Sequence, residues 1–392
     1  MIDVPSQRKL RVLQVTGVMN RGGAEMMLMD IYRHISPDIH FDFLVNVKRS
    51  DPRPNGDFDE EIRARGAKML YILAQWDSGV RNFIHDFKRI IAENGRPDVI
   101  HIHLNSKGGV ISLAARLCGI KKIIVHSHAD VKYRGSFLHI WPRVLELKLQ
   151  KVLIWLFATD YWGCSPDAVR CMFYNRRNAL VINNAIDIHA FQTMPTETVQ
   201  ALRAQFGAGG DTLVIGTVGR INPAKNLGYL IEIIQTLAQR GVNFRFVCAG
   251  RVDDEHYMQT VLQQVAAYGL EDRVHFIGDR SDVPALMAAF DLFTHASLNE
   301  GFGMVGAEAQ ASGLPCVLST GFPREVDMGL GLVTYLPANN PEAWAEALLK
   351  AACKRCTERA LIYRTIAERG FDIVENTRRI EQIYSSRKAG QP

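Results

Sequence analysis

Short apolar runs and segments of helical periodicity alternate along the first half of the chain. Runs rich in β-branched and aromatic residues predict strands, and the segments between them repeat apolar residues at helical spacing. The predicted strands are 10–15, 41–47, 68–72, 99–103, 122–125, 160–163 and 179–182, and the predicted helices are 24–35, 58–65, 80–94, 109–117 and 165–173. This alternation is typical of a parallel sheet covered by helices on both faces.

The same alternation starts again near residue 212, after a polar stretch that we interpret as a linker. Strands are predicted at 212–218, 244–249, 274–277, 292–294 and 315–318, and helices at 226–239, 256–268, 283–288, 304–311, 341–352 and 357–385. We therefore predict an α/β protein of two doubly wound, Rossmann-like domains, 1–190 and 191–371. Ligands of such sheets bind at the carboxyl ends of the strands, so we expect a cleft where those ends face each other.

Composition and charge narrow the class of protein only slightly. The chain has 392 residues, of which 47% are hydrophobic and 22% charged, as in ordinary globular proteins of two domains. A net charge of +5 suits an acidic ligand, an anionic membrane surface or plain solubility, and does not by itself indicate nucleic acid. The first 13 residues lack a signal-peptide core, and the seven scattered cysteines are typical of reduced thiols, so we expect a cytoplasmic protein.

A basic motif directly follows the strand predicted at 212–218. Arg220 and Lys225 stand five residues apart, beside Gly219. An arginine fork and a lysine ammonium at the carboxyl end of a strand can clamp a diphosphate. A solvated basic loop is the alternative for this motif taken alone.

A glycine-rich turn lies between a strand and a helix at 297–309. It carries Glu300 in the loop and Glu308 in the following helix. The N–H groups at the start of such a helix attract anions, and a nearby carboxylate can accept hydrogen bonds from sugar hydroxyls. Surface salt bridges are the alternative for the two carboxylates.

Histidines mark the first domain. His126 and His128 end the strand predicted at 122–125, and they could contact a transferred sugar or a leaving phosphate. A metal site would need Asp130 as a third ligand, and we predict no metal. His101 and His103 share one face of their strand, for which packing with a satisfied hydrogen bond is the better interpretation.

Gly22 and Gly23 follow the first strand but lack the spacing of a dinucleotide fingerprint. Their turn could approach a phosphate or serve only as a connection.

Taken in order, these motifs resemble one known family. They run from Gly22-Gly23-Ala24-Glu25 to the histidine pair, then V-G-R-x-x-x-x-K-N at 218–226 and E-G-F-G-x-x-x-x-E-A at 300–309. The order is similar to that of the retaining glycosyltransferases of family 4, which have the GT-B fold. The stretches 101–128 and 308–315 look most like the branch that assembles capsules and exopolysaccharides.

The resemblance implies a role for each matching residue. Arg220 and Lys225 would hold the donor diphosphate above Gly22 and Gly23, and Glu308 would bind the nucleotide ribose. Glu300 and the backbone of Gly301, Phe302, Gly303, Met304 and Val305 would contact the donor sugar and phosphates. His128, or in its place His126, would contact the sugar, and the helix at about 372–386 would pack back on the first domain. Catalysis would rest on His128, Glu300, Arg220 and Lys225.

The implied reaction moves a sugar, with retention, from a UDP-sugar to a glycan or polyprenyl-diphosphate-linked acceptor in surface polysaccharide biosynthesis. The nucleotide-sugar is a substrate, and no cofactor is expected. A nucleotide-sugar 2-epimerase and a non-catalytic nucleotide-sugar-binding protein are the alternatives.

Basic and aromatic residues interleave between 131 and 158. We expect Lys132, Arg134, Arg143 and Lys148 to attract the anionic inner face of the membrane. Trp155 and Phe157 fall in the most apolar run of the chain, which predicts that they lie in the core. A helix of the domain core with solvated lysines is the alternative for the whole segment.

Overall fold

The computed structural model describes residues 8–128, 137–173, 178–191 and 194–386. These residues form two compact units of similar size. Unit 1 comprises the chain up to Ala185 and takes up the segment from Ile373 onward, whereas unit 2 comprises Ile186–Asp372. The predicted division lay at 190 and 191.

Unit 1 is built on a seven-stranded parallel sheet of the order β3-β2-β1-β4-β5-β6-β7. Its strands are β1 Leu10–Thr16, β2 Ile39–Val47, β3 Met69–Leu73, β4 Val99–Ile102, β5 Lys122–Ser127, β6 Asp160–Gly163 and β7 Ala179–Val181. Its first helices are α1 Gly23–His34, α2 Asp59–Ala64, α3 Gln75–Ser78, α4 Val80–Asn94, α5 Gly108–Leu117, α6 Phe137–Phe157 and α7 Pro166–Phe173. Apolar strand residues such as Ile100 and Ile123 form one core with Phe83 and Phe87 of α4.

Unit 2 repeats the arrangement with a six-stranded parallel sheet of the order β10-β9-β8-β11-β12-β13. Its strands are β8 Leu213–Val218, β9 Phe244–Ala249, β10 Val274–Phe276, β11 Leu292–His295, β12 Cys316–Ser319 and β13 Val333–Leu336. Its helices are α8 Thr196–Gln205, α9 Leu227–Gln239, α10 Glu255–Ala267, α11 Val283–Ala289, α12 Met304–Ala311, α13 Pro341–Ala351 and α14 Arg359–Glu368. Ile231, Ile234, Phe246 and Trp344 lie in its core.

The last helix, α15 Ile373–Ser385, belongs to unit 1. Its Tyr384 is buried, stacks on Trp162 at 6.1 Å and meets Phe41 edge-on. Gly370, with a φ of +77°, lies between α14 and α15, so the helical stretch predicted at 357–385 is two helices.

One segment differs from the sequence prediction of a linker. The polar stretch before residue 210 contains α8, which buries Leu202 and leads into the buried Phe206. Arg203 holds this helix to the sheet, because its guanidinium donates to both carboxylate oxygens of Asp291 at 3.0 Å. The stretch is polar on average because one face of α8 meets solvent, while its other face can still pack against the domain.

Strand order reverses once in each sheet, between β1 and β4 in unit 1 and between β8 and β11 in unit 2. At such switch points the connections leave in opposite directions, and a crevice opens at the carboxyl ends of the two strands. The fold therefore indicates two positions where polar groups can bind a ligand. One follows Thr16 and Ile102 in unit 1, and the other follows Val218 and His295 in unit 2.

Candidate functional site

Close backbone packing shapes the switch point of unit 2. A Cβ atom on Gly219 would lie 3.0 Å from Nε2 of His295, and one on Gly250 would lie 1.9 Å from the Gly219 carbonyl oxygen. Glycine is required at both positions because the ends of β8, β9 and β11 converge there. The loop after Gly219 is thereby directed across the strand ends.

Lys225 and Glu300 form an ion pair at this switch point. Lys225 Nζ lies 2.5 Å from Glu300 Oε1, and the two side chains are only 21% and 11% exposed. The supporting loops are bonded together, since Leu298 N donates to the Ala224 carbonyl at 2.9 Å and Glu300 N donates to Gly321 O at 2.9 Å. The basic motif and the glycine-rich turn are thus one assembly, although 75 residues separate the paired side chains.

Electrostatics keep Glu300 ionised in this assembly. Burial alone would raise the pKa of its carboxyl group, but the charge of Lys225 and the hydrogen bonds from Lys225 and Ser297 lower it below the usual value. Burial lowers the pKa of His295 to about 4, against the opposing effect of Glu300. A neutral imidazole therefore lies beside the pair at neutral pH.

Arg220 lies at the more open side of the same loop. Its Nη1 donates to Asp253 Oδ2 at 2.9 Å, and Asp253 also accepts from Arg251 at 3.3 Å. The side chain of Arg220 is 49% exposed. One guanidinium nitrogen is thus bonded to a carboxylate oxygen, while about half of the side-chain surface is open to solvent.

The glycine-rich turn leads into α12 as the sequence predicts. Gly303 has a φ of +84°, and a Cβ there would come within 2.4 Å of the Phe322 ring, so both conformation and space require glycine. Phe302 is buried and stacks on Phe371 at 5.1 Å, which anchors the turn to unit 2. Glu308 is half-buried within α12, and Gly301 is exposed.

The switch point of unit 1 holds a pocket of about 330 Å³. Its lining combines the ends of β1 and β4 with α1 and the turn before α5, and includes Gly17, Glu25, His103, Lys107 and His128. Asn105 shapes this wall from a left-handed conformation, with a φ of +48°, and its Oδ1 accepts from the backbone N–H of His128 at 2.7 Å. Lys107 extends over the Trp76 ring at 3.6 Å, and burial lowers the pKa of its ammonium group.

Hydrogen bonds connect this pocket to the core. His128 Nε2 lies 2.9 Å from His103 Nδ1, and His103 Nε2 lies 2.9 Å from Gln14 Oε1. Gln14 Nε2 lies 3.3 Å from the Tyr384 hydroxyl, which lies 2.7 Å from His101 Nδ1. We name these five residues the histidine chain. The sequence interpretation of His101 and His103 as packed residues with hydrogen bonds is confirmed.

The four histidines of this region are neutral at physiological pH. Burial is the main cause: it lowers the pKa of His128 to about 4 and lowers those of His101, His103 and His126 well below their usual value. His126 is fully buried beside Trp162, whereas His128 lines the pocket. The sequence left His126 and His128 as alternatives for the sugar contact, and of these two His128 is the one that lines the pocket.

A metal centre has only partial support from these groups. His101, His103 and His126 each offer a nitrogen within 4.8 Å of the others. Both ring nitrogens of His103, however, already take part in hydrogen bonds. Asp130, the third ligand considered from the sequence, lies outside the described residues.

Gly22 and Gly23 lie at the start of α1, with Gly22 as its N-cap. The Glu25 carboxylate folds back over Gly22, where its Oε2 would lie 2.3 Å from a Cβ atom on that residue. Arg21 N donates to Asp57 Oδ2 at 3.0 Å, which fixes the turn.

Helix α6 corrects the prediction for Trp155. That side chain is 57% exposed, and Phe157 is only half-buried. The apolar run was interpreted as core, but the helix buries Gln150 and Ile154 on its other face. Arg143 and Lys148 are exposed as expected, while Lys132 and Arg134 lie outside the described residues. Within the described ranges, no helix combines the length and apolar composition needed to span a bilayer.

The sequence motifs miss several residues that shape these sites. Five of these residues carry no local signature in the sequence: Gln14, Asn105, Lys107, Asp253 and Tyr384. The sixth, His295, had a usable signal, since it directly follows the strand predicted at 292–294.

Two Rossmann-like units, with cations at one switch point and a histidine pocket at the other, are the features of a GT-B glycosyltransferase. Residues 212–353 match the family model described as glycosyl transferases group 1. The chain is 35% identical over 387 residues to EpsF of Bacillus subtilis (strain 168), a provisional glycosyltransferase, with 96% of each chain covered. The chain belongs to the group 1 glycosyltransferases.

A further relative and a solved structure are similar at greater distance, and the structure bears on the fold alone. The chain is 26% identical over 291 residues, 72% of each chain, to the Escherichia coli UDP-Gal:α-D-GlcNAc-diphosphoundecaprenol α-1,3-galactosyltransferase. The crystal structure of Anabaena HepE in complex with UDP is 22% identical, covers 96% of this chain and 100% of its own, and superposes with a TM-score of 0.76. The predicted family, the GT-B fold and the glycosyltransferase class are confirmed, and the epimerase and non-catalytic alternatives are not favoured.

Proposed function

We propose that this glycosyltransferase moves a hexose from a UDP-sugar, with retention, to a glycan or polyprenyl-diphosphate-linked acceptor during surface polysaccharide biosynthesis. The observation that carries the proposal is the joining of Lys225, Glu300 and the start of α12 at the switch point of unit 2. The donor class is supported by the UDP named for Anabaena HepE. Donor and acceptor classes are both supported by the UDP-galactose and diphosphoundecaprenol named for the Escherichia coli relative.

In this proposal unit 2 holds the nucleotide diphosphate. Arg220 supplies a fork and Lys225 a point charge, and the N–H groups from Phe302 to Val305 add dipoles at the start of α12. Negative charge develops on the diphosphate as the glycosidic bond breaks. Groups already fixed by Glu300 and Asp253 stabilise that charge without reorganisation, which lowers the barrier. Glu308 accepts from the ribose hydroxyls.

In unit 1 the pocket receives a hydroxyl of the donor sugar through His128. His126 is enclosed by the sheet, so His128 is the better candidate for this contact. Gly22 and Gly23 begin α1 next to the donor phosphate, and the space beside Gly23 is open. No metal or other cofactor is required, because cations and backbone dipoles supply the positive charge.

The test combines binding and product analysis on the full chain. A panel of nucleotide-sugars is screened by ligand-induced thermal shift, since a ligand of the native state raises the midpoint. The best donor is then incubated with a polyprenyl-diphosphate-linked sugar, and the anomeric configuration of the product is read by NMR. Net retention supports the proposal. Inversion, or conversion of the donor without any acceptor, contradicts it.

We further propose that α6 attaches the enzyme to an anionic membrane. Trp141, Leu145, Leu149, Val152 and Leu156 are all exposed. At 100° per residue they fall, together with Trp155, on an arc of about 120°. An exposed apolar arc of this width on one helix is typical of an interfacial helix.

The charges on α6 also favour an anionic bilayer as the partner of this apolar arc. Side chains between 141 and 157 include the cations Arg143, Lys148 and Lys151 against the single carboxylate Glu146. Lys148 lies within the apolar arc, where its stem can pack on apolar groups while the ammonium meets lipid phosphate. Each cation near an anionic surface contributes about 1 kcal/mol at low salt.

Liposome co-sedimentation tests this surface. A Leu145→Ser/Leu149→Ser/Trp155→Ser variant should lose binding to vesicles with and without anionic lipid, and an Arg143→Gln/Lys148→Gln variant should lose only the salt-sensitive part. Leu117→Ser/Leu262→Ser removes exposed leucines elsewhere and should bind like the wild type. Equal binding by all variants would reject attachment through α6.

A further inference from the structure

The histidine chain runs without a break from the pocket of unit 1 to the C-terminal helix. Its members come from β1, the end of β4, the end of β5 and α15, so they are joined only in the folded unit. Each link is short enough for a hydrogen bond. Because every link needs one donor and one acceptor, the direction of one bond fixes the direction of the rest.

The Gln14 amide sets that direction. Its oxygen faces His103 at 2.9 Å, and a carbonyl oxygen only accepts, so His103 Nε2 carries the hydrogen. His103 is neutral, and its Nδ1 must therefore accept. His128 Nε2 then donates to His103 Nδ1, and the other nitrogen of His128, Nδ1, is an unprotonated acceptor.

Tyr384 is the second partner of the amide. Gln14 Nε2 donates to its oxygen at 3.3 Å, and its hydroxyl proton goes to His101 Nδ1 at 2.7 Å. Burial raises the pKa of Tyr384, so the hydroxyl keeps its proton. Turning the amide would reverse every bond in the chain and place an N–H on Nδ1 of His128.

The two end nitrogens of the chain, Nε2 of His101 and Nδ1 of His128, have no hydrogen-bond partner within the described residues, and the His128 end reaches the pocket. His128 Nδ1 is buried and has no hydrogen-bond partner within the described parts of the chain, while the ring lines the pocket. A buried nitrogen lone pair in this position is satisfied by a ligand that brings a proton to it.

We propose that Gln14, held by Tyr384, is a positioning residue that fixes His128 as the Nε2–H tautomer and thereby makes the pocket an acceptor for a sugar hydroxyl. This inference rests on the proposed contact of His128 with the donor sugar. It also defines specificity: a hydroxyl can donate to Nδ1, whereas a carboxylate or a fluorine at that position cannot. The pocket therefore favours a neutral hexose over a uronic acid.

The tautomer can be measured directly in the full-length protein. Nitrogen-15 NMR of histidine-labelled enzyme, with His128 assigned from a His128→Gln variant, distinguishes protonated from unprotonated ring nitrogens. We expect Nε2 protonated and Nδ1 bare in the ligand-free wild type. A His128 that is charged at pH 7, evenly mixed, or protonated on Nδ1 would overturn the inference.

Variants separate positioning from general packing. Gln14→Met and Tyr384→Phe should both shift His128 to a mixture of tautomers, because each removes a bond that orients the amide. Tyr161→Phe removes another buried tyrosine hydroxyl of unit 1 and should leave the spectrum unchanged. If Gln14→Met fails to fold, Tyr384→Phe and the wild-type spectrum still decide the question.

Kinetics then tests the link to the sugar. Donors with single hydroxyls replaced by fluorine are compared, and one replacement should reduce kcat/KM of the wild type by about tenfold, the loss of one hydrogen bond. His128→Ala should abolish that difference, and Tyr384→Phe should weaken it. The expected tautomer without any such coupling would refute the sugar contact of His128 while leaving the positioning by Gln14 intact.

Discussion

Replacement of Lys225 by methionine separates its structural role from its proposed role in donor binding. Methionine keeps much of the apolar stem but leaves the Glu300 carboxylate, 11% exposed, without its ammonium partner. Breaking a fully buried ion pair costs about 3–5 kcal/mol, and this pair keeps some contact with water. We therefore expect unit 2 to lose about 1–3 kcal/mol of stability at pH 7.

The pH dependence of that loss identifies its cause. In the wild type the pKa of Glu300 is lowered, so its contribution is present above the ordinary value of 4.5 and is lost as the pH falls below it. In Lys225→Met, burial without the ammonium should raise this pKa instead. The penalty is then greatest at neutral pH and is relieved on acidification, so the difference in unfolding free energy should shrink between pH 7 and pH 5.

Trp344 makes the measurement specific to unit 2. It is the one tryptophan of five that lies in Ile186–Asp372, and its side chain is buried. Urea unfolding followed by fluorine NMR of 5-fluorotryptophan would report this signal separately. Lys350→Met, which removes the exposed partner of Glu346, is the matched control and should show no pH-dependent change.

Two results would refute the reasoning. One is a loss of stability that does not change between pH 7 and pH 5. The other is a Lys225→Met/Glu300→Gln variant that is no more stable than Lys225→Met alone. If the double variant recovers stability and also binds the UDP-sugar as tightly as the wild type, the diphosphate assignment of Lys225 is wrong. We expect its affinity to be lower by about tenfold to 100-fold, the loss of a charged hydrogen bond.

The remaining predictions concern the same site. Arg220→Gln should leave unit 2 folded, because the side chain is half-exposed. The same change should weaken donor binding by about tenfold in calorimetry. Unchanged affinity would argue against the proposed contact between the Arg220 guanidinium and the diphosphate. Glu300→Gln should lower turnover more than donor affinity, whereas Glu308→Gln should mainly raise the donor Kd, and equal affinity losses in both would contradict this division. Activity should survive EDTA, and loss that manganese or magnesium restores would show that a cation is needed.

The sequence by itself determined the elements and the placement of most candidate groups. Periodicity identified nearly every strand of both sheets, because buried parallel strands read as apolar runs bounded by turn residues. The motifs around Arg220 and Glu300 follow strands, and in a parallel sheet all such positions lie at one edge. The sequence prediction was wrong for two helices whose opposite faces differ in polarity. Because of its polar average composition, α8 was predicted to be a linker. Because it lies in an apolar run, Trp155 was predicted to lie in the core.

Only the tertiary structure decided which of these groups act together. Strand order places β1 beside β4 and β8 beside β11, and chain order does not contain that information. The pairing of Lys225 with Glu300 across 75 residues follows from it, and the pairing of His101 with Tyr384 across 283 follows from the return of α15 to unit 1. The protonation states follow as well, because burial and partners set a pKa, and both are properties of the folded unit.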